Sequence, residues 1–302
     1  MTGDRPVLGI LFMLGFCVLA PLGDALAKLL GETIPLGQLL LTRFGIQAAL
    51  LVPLALLTAR ALRMSGRVLR LTLLRTALHI VGIGAMFTSL RFLPLADAIA
   101  IAFVMPFIML LLGRYVLGEE IGARRLGACC VGFLGTLLVI QPSFAAVGPP
   151  ALLPLLVAVV FALFMLVTRQ VAKEVDPVSL QAVSGVFATI FLGAVVLLPA
   201  GPTLPMLDLV LPAGMEWVLL MAIGGIGTGA HLLMTWSLRY APSATLAPMQ
   251  YLEIPVATVI GYLVFRDWPN DLAMLGIAIT VGAGLYIVYR EQQNARLIPP
   301  ET

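Results

Sequence analysis

A chain of 302 residues that is 61% hydrophobic and only 11% charged lies far from the roughly one quarter of charged residues in a soluble domain, which excludes a water-solvated globule. Its net charge of +3 comes from 18 basic residues spread along the chain rather than gathered in a patch, which argues against nucleic acid as a partner. Cys17, Cys129 and Cys130 all lie in apolar runs, where a thiol is ordinary packing material and no disulfide is needed.

The first apolar run continues through Pro21, Asp24 and Lys28 with no small-residue cleavage pattern, so it reads as a first helix and not as a signal peptide. A membrane span takes roughly 20 apolar residues. The sequence supplies ten such segments, at 6–30, 34–57, 71–92, 95–116, 124–140, 150–169, 178–199, 214–238, 242–265 and 271–289. No room is left for a soluble domain.

Ionisable groups inside spans are costly, so each is a functional candidate. In helix one, Asp24 and Lys28 stand four residues apart, the spacing of a local ion pair. Arg43 falls within helix two, to pair with Asp24 or to attract a substrate carboxylate. His79 is the ninth residue of helix three, roughly 12 Å in and near the midplane. Helix four carries Pro106 beside Phe103, Met105 and Phe107, side chains that suit an apolar or aromatic cargo or plain packing. In helix eight, GGIGTG at 224–229 follows no strand, which favours close helix packing over a phosphate loop. Helix nine places Gln250 and Tyr251 at the depth of His79, with Glu253 one turn on and Pro248 and Pro255 flanking them. An imidazole, an amide and a phenol at one level can hydrogen-bond a zwitterion without a net buried charge, or can bond helices to one another. The prolines would free backbone carbonyls toward a cavity. Glu253 is also a candidate for coupling or gating, with Asp24 and the three prolines.

Cytoplasmic loops are enriched in Lys and Arg. With the amino terminus inside, that side collects Arg5, Arg60, Arg63, Arg67, Arg70, Arg75, Arg114, Arg124, Arg125, Arg169, Lys173, Arg239, Arg290 and Arg296, which is 14 of 18. Lys28, Arg91 and Arg266 fall outside. Both termini are therefore expected in the cytoplasm of a bacterial cell, with the chain crossing the inner membrane.

Sliding the sequence by 148 positions lays SLRFLP (89–94) on SLRYAP (237–242), Gly113 on Gly261 and Glu119 on Asp267. The same shift carries Ala128, Gly132 and Thr136 onto Gly276, Thr280 and Gly284, small residues spaced by four that let helix backbones approach. Two halves of five spans, 1–142 and 149–291 with a cytoplasmic tail at 292–302, must enter the membrane from opposite sides. Inverted repeats of this kind build secondary transporters with a site at the midplane between the halves. The expected fold is an all-α membrane protein of ten helices in two inverted-topology repeats.

SLRFLPLADAIAIAFVMPFIMLLLGRYVLGEE at 89–120 and SLRYAPSATLAPMQYLEIPVATVIGYLVFRDW at 237–268 resemble the helix hairpins of the EamA-domain family of the drug/metabolite transporter superfamily. The family's glycine–glutamate pair stands here as Gly118 and Glu119, but as Arg266 and Asp267 in the second copy, so the pair is not essential in both halves. The resemblance covers nearly the whole chain. It implies export of amino acids, other metabolites or toxic compounds, and within the family the chain is most similar to bacterial aromatic amino acid exporters.

The expected function is an alternating-access carrier, with the lipid bilayer and a small metabolite as partners and with either a monomer or a homodimer compatible. Multidrug efflux by the same fold is the alternative. No HExxH helix, GxSxG elbow or acidic ligand cluster is present, so no cofactor, metal or enzymatic role is expected. No ring of like charge or filter sequence marks a channel.

Overall fold

The computed structural model describes residues 5–64, 66–105, 107–108, 112, 123–197, 205–241, 246 and 249–297. Among them are α1 (Pro6–Leu30), α2 (Leu36–Leu57), α3 (Gly66–Ser89), α4 (Leu95–Ala102), α5 (Ala123–Val147), α6 (Leu153–Ala172), α7 (Pro177–Leu197), α8 (Met215–Tyr240), α9 (Glu253–Phe265) and α10 (Asp271–Leu297). Seven of the ten, α1 to α3 and α5 to α8, are long and apolar enough to cross a membrane. Their large apolar residues turn outward as well as inward: Leu57, Ile190 and Leu197 are 86%, 65% and 76% exposed. In water that would be costly, whereas in hydrocarbon it costs nothing.

Proline sets several helix starts. Pro6 and Pro177 open α1 and α7, and Pro35 and Pro94 cap α2 and α4 from outside, positions where a missing N–H leaves no bond unmade. At the far end of α9, Arg266 adopts φ 58° and its N–H closes the helix on the Tyr262 carbonyl. Several helix ends differ from the expected ones, and α5 runs to Val147, past 140. α3 begins at Gly66, not 71, and α10 runs on to Leu297, past 289 and into the expected tail. Helix ends fray, and boundaries are the least sharply defined part of a helix, but the shift at α3 matters, because it brings Arg67 and Arg70 into the helix and sets Arg75 more than two turns from its start.

The principal helix pairs are α1 with α8, α3 with α6, α2 with α7, α5 with α10, α2 with α8, α3 with α7, α1 with α9, α4 with α6 and α4 with α9. Renumbering each helix by its counterpart five places away leaves this set of neighbours unchanged. The helices of one half thus pack chiefly on those of the other.

Small residues set the tightest of these contacts. An added Cβ at Gly276 would lie 2.5 Å from the Gly135 carbonyl oxygen, and one at Gly135 would lie 2.8 Å from that of Gly276. The Thr280 hydroxyl donates to the Gly132 carbonyl at 3.4 Å. The α5–α10 seam therefore runs through Gly132 and Thr280 as the sequence spacing indicates, with Gly135 rather than Ala128 at its closest point. GGIGTG lies inside α8 as packing surface: an added Cβ at Gly224 would lie 2.4 Å from the Ile46 side chain of α2.

Helix four and helix nine are both broken. Turns interrupt them at Phe103–Val104 and Tyr251–Leu252, positions 148 residues apart, and the Phe103 and Tyr251 rings meet at 5.4 Å. Tyr251 in turn fills the space beside Gly284, where an added Cβ would lie 2.1 Å from its ring. Gly284→Val is accordingly expected to displace Tyr251 and the Phe103 wall it supports, and to cut transport severalfold; transport equal to wild type would show that this wall is not needed.

Candidate functional site

A central cavity of about 830 Å³ of space free of protein atoms, any open solvent included, is lined from both halves. α1 supplies Phe16, Gly23 and Asp24, α2 supplies Arg43, and α3 supplies Gly82, Met86 and Phe87. Phe103 and Met105 come from the break in helix four, Phe161 from α6, Gly227 and His231 from α8, and Gln250 and Glu253 from the break in helix nine. A few polar groups set in an apolar wall are the usual make-up of a small-molecule site.

Local sequence explains each position. Arg43 is almost fully buried, its guanidinium over the Phe44 ring at 4.9 Å. Gly227 makes room for it, since an added Cβ there would lie 2.9 Å from the Arg43 Nε. Its Nη1 has no hydrogen-bond partner. Asp24 interacts with it electrostatically across the cavity, without the two approaching within ion-pair distance among the described contacts. Glu253 is the first residue of α9, where the exposed N–H groups of a helix start favour a carboxylate. The break that precedes it leaves the Met249 carbonyl to accept from the Cys17 thiol at 3.2 Å. The Gln250 amide is 3.5 Å from the Met165 sulfur.

Of the residues expected at the site, Arg43, Asp24, Glu253, Gln250, Phe103 and Met105 line the cavity. His79 and Tyr251 do not. His79 is fully buried behind the wall, with its Nε2 3.3 Å from the Nε2 of His231. Tyr251 is held between Phe103 and α10. Pro255 sits exposed in the first turn of α9, four residues after Tyr251, so the N–H it lacks is the one that would have carried the helix across the break. Pro106, Pro248, Gly118 and Glu119 lie outside the described residues.

Lys28 pairs with Asp267 at 2.7 Å and donates to the Leu93 carbonyl at 3.2 Å, not with Asp24. That ties the end of α1 to the loops after α3 and α9, and leaves Asp24 to the cavity. Arg75, counted with the cytoplasmic basic residues near the start of helix three, is completely buried in α3. His231 is a cavity residue that the sequence reading passes over, although its separation of 152 from His79 is close to the repeat shift and signals facing helices. At the opposite end of the bundle, Arg67 pairs with Glu174 at 2.7 Å, Arg60 pairs with Asp176, and Arg239 donates to the Val175 carbonyl.

The model of the EamA-like transporter family matches the chain twice, over residues 7–141 and 149–290. The S-adenosylmethionine uptake transporter of Rickettsia prowazekii is 25% identical over 288 residues, 95% of this chain and 94% of its own length. The riboflavin transporter of Brucella anthropi is 29% identical over 251 residues, 82% and 87% of the two chains. The pseudopaline exporter of Pseudomonas aeruginosa is 26% identical over 262 residues, 86% and 88%. A solved crystal structure superposes with a TM-score of 0.64 at 18% identity, covering 95% of this chain and 97% of that one, and shares its fold. These relatives are carriers of small metabolites and not enzymes, and the double match covers nearly all ten helices. The chain belongs to the EamA-like transporter family, within the drug/metabolite transporters, and is a multi-pass membrane transporter.

Proposed function

We propose that the protein is a secondary carrier of amino-acid-like metabolites that works by alternating access, its halves 1–142 and 149–291 being inverted repeats that rock about the central cavity. The observation that carries this reading is the cavity's lining: a guanidinium, Arg43, faces the carboxylates Asp24 and Glu253 across a wall of Phe16, Phe87, Phe103 and Phe161. A zwitterion with an aromatic body matches each of these groups, its carboxylate on Arg43, its ammonium between Asp24 and Glu253, its ring among the phenylalanines. The neighbour relations that survive exchange of the halves, the paired breaks at Phe103 and Tyr251 and the double family match support the repeat.

The named cargoes of the relatives fit the same cavity chemistry in part: S-adenosylmethionine joins an amino acid head to an aromatic base, and riboflavin is a flat ring system. Aromatic amino acids are the favoured cargo. Export is the favoured direction, although the relatives include both uptake transporters and an exporter, and a carrier without coupling follows the gradient. The bacterial relatives and the distribution of basic residues support the inner membrane with both termini in the cytoplasm.

Counterflow in liposomes containing only this protein, with labelled phenylalanine, tryptophan, threonine and a cationic dye, tests the reading. Preference for phenylalanine and tryptophan is expected. Preference for the dye would make the two carboxylates a cation site and move the assignment to drug efflux, and no exchange of any of them would overturn it.

Glu253, at a half-helix start facing Asp24, Arg43, Cys17 and Gln250, is the group best placed to carry a coupled proton. Glu253→Gln is expected to weaken phenylalanine counterflow, through the loss of one carboxylate beside the ammonium, and to flatten its dependence on pH; a pH profile identical in shape to wild type would exclude coupling through it.

A further inference from the structure

Arg75 is the most deeply buried charge in the structure, with no exposed surface, roughly 14 Å along α3 from Gly66. Its partners are all neutral. Nε donates to the Thr168 hydroxyl at 2.8 Å and Nη1 to the Ser184 hydroxyl at 2.9 Å, and the guanidinium lies over the Phe164 ring at 4.6 Å. Among the described residues Nη2 has no hydrogen-bond partner, and Arg75 is in none of the ion pairs. Burying an ion among neutral groups alone is unfavourable, because nothing replaces the hydration it has lost. Holding α3 to α6 and α7 would need only a neutral amide at this point.

What lies between Arg75 and the cavity is thin. His231 and Phe161 line the cavity. Behind them, His79 packs on His231 with ring centroids 4.2 Å apart and on Phe164 at 4.7 Å. Phe164 is the ring on which Arg75 rests. The two imidazoles meet through Nε2 alone, one donating and one accepting, and neither Nδ1 has a partner. This layer joins α3 and α6 to α8, and within it one hydrogen bond, His79 to His231, crosses between the halves, a bond that a rocking motion can break.

Resting on the carrier reading given above, we propose that Arg75 is a second carboxylate site on the transport path. It lies on the far side of the His79–Phe164–His231 layer from Arg43, toward the face that carries Arg60 and Arg67. When the layer parts, the cargo's carboxylate leaves Arg43 and meets the free Nη2 of Arg75, so the path holds one guanidinium station on each side of its closure. The counter-ion that Arg75 lacks is the substrate. Arg43 shares its cavity with Asp24, and Arg75 has no such companion, which makes the inner station selective for the carboxylate rather than for the ammonium group.

The test uses full-length protein in liposomes of known orientation, with exchange of L-phenylalanine and of L-phenylalaninamide, which lacks the carboxylate, started from either face. Arg75→Gln is expected to raise half-saturation for phenylalanine at least tenfold at the Arg60 face, to leave the other face within twofold, and to leave the amide unchanged at both. An equal change at both faces, or for both compounds, would make Arg75 a structural brace and overturn the proposal. If Arg75→Gln does not fold, Arg75→Lys carries the test: a shift for phenylalanine confined to the Arg60 face supports the site, and no shift or a uniform one overturns it. Wild-type protein that exchanges neither compound at either face defeats the carrier reading itself and this site with it, and that result is separate because it needs no variant.

Discussion

Arg43→Met is expected to raise the half-saturation concentration for L-phenylalanine in counterflow by roughly tenfold to a hundredfold, from the loss of about 1.5–3 kcal/mol in a hydrogen bond to a charged group. The residue is the cavity's one cation among the described lining, with Nη1 free and Asp24 and Glu253 facing it. Methionine keeps an unbranched apolar side chain while removing the guanidinium that lies over Phe44 and beside Gly227, so the change takes away the charge and fills part of its space. Arg266→Met serves as the comparison. That residue lies beyond the cavity, over the Tyr262 ring at 5.5 Å, and its loss is expected to leave half-saturation unchanged. Equal values for wild type and Arg43→Met would remove the carboxylate from Arg43, and with it the orientation of the cargo.

The largest effect on stability is expected at Gly276. A valine there would place its Cβ 2.5 Å from the Gly135 carbonyl oxygen, 2.8 Å from Val139 and 3.1 Å from Leu138. The first of these is backbone, so α5 and α10 can relieve the clash only by moving apart, and the Thr280 to Gly132 hydrogen bond lies on the same seam. Overpacking costs about 1–3 kcal/mol and more where backbone must shift. A fall in melting temperature on the order of 5–10 °C is expected for Gly276→Val. Gly282→Val, on the same helix with nothing within 4 Å of its added Cβ, is expected to change it little. Equal melting temperatures for the two variants would show that the seam is not tightly packed.

Composition and periodic small residues make the membrane class, the helix order and the α5–α10 seam legible, because lipid leaves backbone groups no partner outside the helix and so leaves few alternatives. The cavity's polar wall is legible to the same extent: Arg43, Asp24, Glu253 and Gln250 stand out in apolar text simply by being polar. Relations between distant helices are not. Lys28 has a carboxylate four residues before it, and the helical pairing rule points to Asp24; the actual partner, Asp267, is 239 positions away. Arg75 follows Arg67 and Arg70 in a basic stretch and stands near the expected cytoplasmic end of helix three, and only the start of α3 at Gly66 and the packing of α6 and α7 against it show it as fully buried. His79 and His231 each look like single polar residues until α3 and α8 face each other, and the contact between them places His79 behind the cavity instead of on it. Pro106, Pro248 and Pro255 point to breaks near Phe103 and Tyr251, and Pro255 stands four residues after Tyr251, where its missing N–H and its ring end any helix arriving from Tyr251.

The carrier account requires the cavity wall to meet water from each side of the membrane in turn. Ala20 lines the cavity from α1, and a cysteine there, in protein whose Cys17, Cys129 and Cys130 are replaced, can be reacted with a membrane-impermeant thiol reagent applied to one face at a time. Reaction from both faces, slowed by phenylalanine from each, is the predicted result. Reaction from one face only, with phenylalanine making no difference, would contradict it.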